Sequence, residues 1–205
     1  MTSNKLGGSR LYRIAGVVVL LLLGVTVIGL QRLRERRYPA VDEPQDLLYV
    51  SSPAILRRLA LSFDAVLADI YWMRAIQYYG GTRLSADPDK DYSLLDPLLH
   101  LTTSLDPQFT VAYRFGAFFL SEEHPGGAGR PDLAIRLLEK AMSAHPNRWE
   151  YPYDVAFVHF RTGDYREAAE WFERAADRPD APLWLRPLAA AALTTGGDTN
   201  SARLV

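Results

Sequence analysis

From residue 53 to residue 193 apolar side chains recur at intervals of three and four, and short polar breaks interrupt them. In the first such segment, 53–79, the apolar positions are Leu56, Leu59, Ala60, Phe63, Val66, Leu67, Ile70 and Met73. That spacing puts side chains on one face of an α-helix. Ser52-Pro53 offers a hydroxyl cap followed by proline at the first helical position. The same rhythm predicts helices over 92–105, 109–121, 131–144, 149–160, 165–177 and 184–193. Between them fall loops at 80–90 and 124–132, breaks at Asp106-Pro107, His145-Pro146 and 178–180, and a tight turn at 162–164. No window shows the two-residue alternation of a half-buried strand. The fold expected for this part of the chain is all-α.

The N-terminal region has a different pattern. Residues 14–30, IAGVVVLLLLGVTVIGL, form an uncharged run of seventeen. Cleaved secretory signals have an apolar region of about 7 to 15 residues, and this run leads into QRLRERR instead of a small-residue cleavage site. The expectation is an uncleaved transmembrane helix over 14–33, in contact with the lipid bilayer. A tail over 1–13 precedes it, a linker over 34–52 follows, and a helical domain occupies 53–205. Lys5, Arg10 and Arg13 lie before the run, and Arg32, Arg34, Arg36 and Arg37 after it, so charge alone leaves the orientation open. Short N-terminal tails often stay in the cytoplasm, so the expected placement is a single-pass inner-membrane protein with its helical domain on the periplasmic side.

Composition then removes function classes. The 205 residues carry 23 basic and 24 acidic side chains, a net charge of -1, so no global field draws in nucleic acid. There is no cysteine, which excludes disulfides, thiolate metal sites and thiol nucleophiles. The histidines His100, His124, His145 and His159 have neither the i, i+4 pairing of a zinc site nor an H-E-x-x-H setting. The glycine-rich loop at 124–132 follows a helix and lacks the Lys-Ser/Thr of a phosphate cradle. Glu167, Glu170 and Glu173 sit at helical spacings from Arg166 and Arg174 on what reads as a solvated face. No catalytic, cofactor or metal site is expected, and the protein is not expected to be an enzyme.

A period remains. Ala168 lies thirty-four residues after Ala134 and thirty-four before Ala202, and Ala175 repeats Ala141. Phe172 repeats Leu138, and the turn Gly163-Asp164-Tyr165 is echoed by Gly197-Asp198. Small residues at a fixed period of helix-turn-helix length let paired helices approach closely. With Trp72 and Tyr79, Phe115-Gly116 and Phe119, and Val155-Ala156 in the first helices of successive units, the chain resembles the tetratricopeptide-repeat family, in its membrane-anchored bacterial type. The resemblance implies an α-solenoid of about three helical hairpins and an incomplete fourth, in a bacterial envelope context. It also implies a concave groove that receives a partner protein, lined by Met73, Gln77, Tyr113, Ala117, Leu120, Tyr153, Phe157 and Phe160. The last helix should expose an uncapped edge at Trp184, Leu188 and Leu193, because repeat arrays normally end in a helix with a polar outer face. The function expected is that of a membrane-anchored interaction scaffold or assembly factor. The alternatives are a permanent accessory subunit of a membrane complex and, from another class, an enzyme.

Overall fold

The computed structural model describes residues 6–37 and 52–197. Most of the expected linker (38–51) and the opening of the expected fourth hairpin (198–205) lie outside the described residues, as does the start of the tail (1–5). The chain divides into two units, Met1–Asp46 and Leu47–Val205.

In the first unit, α1 is a helix of 32 residues, Leu6–Arg37. Among the described residues no helix is long and apolar enough to cross a membrane. This corrects the transmembrane helix expected over 14–33 and the single-pass inner-membrane placement. The physical reason lies in the run itself. Seventeen uncharged residues rise about 25 Å as a helix, short of a hydrocarbon core of about 30 Å, and Arg13 and Arg32 flank them closely.

The second unit is helical throughout its described length: α2 (Pro53–Leu59), α3 (Asp64–Leu84), α4 (Leu95–Leu105), α5 (Thr110–Ser121), α6 (Pro131–Ala144), α7 (Glu150–Thr162), α8 (Tyr165–Ala176) and α9 (Leu185–Thr195). Packing is densest between α7 and α8, α8 and α9, α3 and α4, and α5 and α6. These are three antiparallel hairpins in series with a further helix after them. The all-α expectation holds for the described residues.

The alanines at the thirty-four-residue period occupy the helix contacts. Ala134, Ala141, Ala168 and Ala175 are each 0% exposed, and the bulky pair Leu138 and Phe172 is buried with them. Gly116 does the same work in α5, where a Cβ would stand 2.7 Å from Leu99 Cδ2 and 3.0 Å from Leu137 Cδ2. Prolines fall where the helix needs no donor. Pro131 begins α6, while Pro97 and Pro152 lie in the first turns of α4 and α7. Gly163 ends α7 in the left-handed region at φ 86°. Its N–H donates to Phe160 O at 3.3 Å, and the Asp164 N–H donates to His159 O at 2.9 Å, which satisfies the last carbonyls of the helix.

Two boundaries differ from the expected ones. The helix expected over 53–79 breaks between α2 and α3, where Leu61 and Ser62 take positive φ of 47° and 77°. The apolar spacing runs straight through that reversal, so nothing in the pattern marks it. Conversely, α3 continues through Gly80-Gly81 to Leu84. Past the glycines, Arg83 is anchored to Tyr79, to the Glu122 carboxylate and to Gly126 O, so a tertiary contact holds the helical turn that glycine alone disfavours.

Candidate functional site

The first helices of the three hairpins, α3, α5 and α7, meet through their side chains. From α3, Trp72 stacks on Phe119 of α5 with ring centroids 6.1 Å apart and planes 8° from parallel. Tyr79 stacks on the same ring at 4.0 Å. From α5, the Arg114 guanidinium grips the Asp154 carboxylate of α7 with two hydrogen bonds of 2.5 and 2.9 Å. Tyr153 of α7 then meets Trp184, at the start of α9, edge-on at 5.6 Å. One continuous face results.

Several large apolar side chains on this face remain uncovered. Met73 and Ile76 stand out from α3 and Val111 from α5. Phe115 is 55% exposed, Phe118 44%, Phe157 43% and Trp184 47%. Val111, Phe115 and Phe118 follow one another at i, i+4 and i+7, a single helical stripe. Aromatic side chains so exposed carry a large potential for burial at an interface.

The structure distributes the expected groove residues over three environments. Met73, Gln77 and Phe157 are exposed. Tyr153 is half-buried, as is Phe160, whose ring packs edge-on against Tyr165 at 5.3 Å. Tyr113, Ala117 and Leu120 belong to the core. Tyr113 donates from its hydroxyl to Thr103 O at 3.4 Å and meets the Tyr151 ring edge-on, and burial pushes its pKa up to about 12. At the C-terminal edge, Trp184 is exposed, Leu188 half-buried and Leu193 buried. Ile76, Val111, Phe115 and Phe118 are the exposed residues that the sequence reading left off the face. A helical wheel drawn on the buried set Ala112, Tyr113, Gly116, Ala117 and Leu120 would have put Phe115 and Phe118 on the outside.

Charge on the face is largely internal. Burial raises the Asp154 carboxyl, and the Arg114 contact only partly offsets it. Glu150 is held by Arg148, at 2.9 and 3.4 Å. Glu122 is held by Arg83 and Tyr79; burial raises its pKa, but those hydrogen bonds and the charges of Arg83 and Arg161 bring it below the ordinary value. Arg161 of α7 stands apart, with its guanidinium over the Phe118 ring at 5.7 Å, a cation–π contact.

A second polar cluster closes the C-terminal end of α4. Lys140 Nζ donates to Thr103 Oγ1 and Ser104 Oγ, both at 2.8 Å, and to His100 O at 3.3 Å. Arg57 donates to Ser104 O. Two cations at a helix C-terminus fit its negative dipole end and its free carbonyls, so this cluster is accounted for by the fold. Among the described residues no group of three or more His, Asp or Glu could hold a metal ion.

Hairpins stacked in series, with apolar side chains uncovered along their first helices, define a helical-repeat interaction module. Residues 127–202 match the family model for the tetratricopeptide repeat, which supports a tetratricopeptide-repeat family and, with it, a protein–protein interaction scaffold. No curated protein and no solved structure matches the chain.

Proposed function

We propose that the protein is a scaffold or assembly factor that receives a segment of a partner protein on the face built by α3, α5 and α7. The observation that carries this reading is the row of half-exposed aromatic residues Phe115, Phe118 and Phe157 on adjacent helices. An apolar row of that kind on a folded domain marks an interaction surface. Of the residues expected in the groove, Met73, Gln77, Tyr153 and Phe157 are placed to touch a ligand directly, while Tyr113, Ala117 and Leu120 shape the face from beneath. The edge beside α9 offers a second contact, where Leu183 is 94% exposed next to Trp184.

The experiment is site-specific photo-crosslinking in the native cell. A photoreactive amino acid at Phe115 or Phe157 should capture a discrete protein, and the same amino acid at Glu139 or Glu170, exposed on α6 and α8, should not. Equal capture from both faces, or none from the first, would reject this surface.

A further inference from the structure

We propose that the segment received on this face is an amphipathic peptide bearing a carboxylate, its apolar side chains seated on Phe118 and Phe157 and its carboxylate paired with Arg161. The inference rests on the reading of the face as a docking surface and adds the chemistry of the ligand. Its ground is charge complementarity. Of the acids on and beside α5 and α7, Asp154 is engaged by Arg114, Glu150 by Arg148 and Glu122 by Arg83, while Glu123 and Asp164, exposed, lie past the C-terminal ends of α5 and α7. The exposed acid Asp69 belongs to α3, on the other side of α5. Arg161 is half-exposed and forms no ion pair among the described residues.

Arg161 lies one helical turn after Phe157 on α7 and over Phe118 of α5, so the two rings and the guanidinium share one neighbourhood. The Arg161 guanidinium makes no hydrogen bond among the described residues, so its donors stay available to a planar acceptor. A carboxylate within about one turn of the ligand's apolar anchors meets that geometry, whereas a lysine at the same place would face a like charge.

The test is selection of a random peptide library by messenger-RNA display against the full chain, in parallel against Arg161→Gln and against the double variant Phe118→Ala, Phe157→Ala. Selected peptides should combine large apolar residues with Asp or Glu. Selection on Arg161→Gln should keep the apolar residues and lose the acidic preference. An acidic peptide so obtained should bind Arg161→Gln about three- to tenfold more weakly in fluorescence anisotropy, the range of a partly exposed charge-assisted pair. Apolar peptides with no acidic preference, or an acidic preference that survives Arg161→Gln, would overturn this proposal and leave the docking face standing. Peptides that bind the double aromatic variant undiminished, with its helicity unchanged, would overturn both, as would the absence of any enriched peptide.

Discussion

A methyl group added at Gly116 would meet the two terminal carbons of Leu99 at 2.7 and 2.9 Å, closer than carbon atoms stand in a packed core. Gly116→Val should therefore lower stability by about 1–3 kcal/mol, measured by urea denaturation, and Leu99→Ala in the same chain should recover part of the loss. Gly163 is required for a different reason. Open space surrounds its missing Cβ, but its φ of 86° belongs to the left-handed region. Gly163→Ala should cost about 1–2 kcal/mol, with helicity retained by circular dichroism. Both residues were legible in the sequence as small or turn positions of a repeat, because glycine announces its own backbone and packing demands. The partnership of Arg114 and Asp154 was not legible. The two are forty residues apart, and only the side-by-side packing of α5 and α7 brings them together.

At the scale of the element, what decides a binding face is rotation about the helix axis. Helix existence followed from periodicity, and the alanines at 134, 141, 168 and 175 fixed which sides of α6 and α8 face inward. Carrying a family's groove onto α5 by position was more fragile. Tyr113 and Phe115 are two residues apart, a turn of about 200°, so that step separates the core from the open face. The sequence pattern around them is apolar on nearly all sides, which removes the contrast that usually reports the rotation. The stability of single variants tests the assignment. Tyr113→Ala should cost about 3–5 kcal/mol, as for other large aromatic residues removed from a core. Phe118→Ala and Phe157→Ala should each stay within about 1 kcal/mol of the unaltered protein, since surface substitutions away from structural features usually do. If Phe157→Ala unfolds the chain as readily as Tyr113→Ala, the exposed row is part of the core and cannot be a docking surface.

For the molecule as a whole, the repeat period gave the order of hairpins, but a count of apolar residues at the N-terminus did not establish a membrane span, because length and flanking charge decide that together. The titration of the helical unit is another property of the whole, set by groups on several elements. Burial and the nearby Arg57 charge push the Lys140 ammonium down to about 8 from its ordinary 10.5. Between those two values the unfolded chain holds a proton that the folded chain has released, so stability rises with pH across that window. Burial holds the Tyr79 and Tyr113 hydroxyls up to about 12 from an ordinary 10.0. Above about pH 10 the unfolded chain therefore loses protons that the folded chain keeps, and their contribution declines. The urea midpoint should climb between pH 8 and pH 10 and turn downward beyond it. In Lys140→Met the climb should vanish while the downward turn remains. A climb that persists in Lys140→Met would place its origin in another group, and the cluster at the end of α4 would then carry Lys140 with an ordinary ammonium.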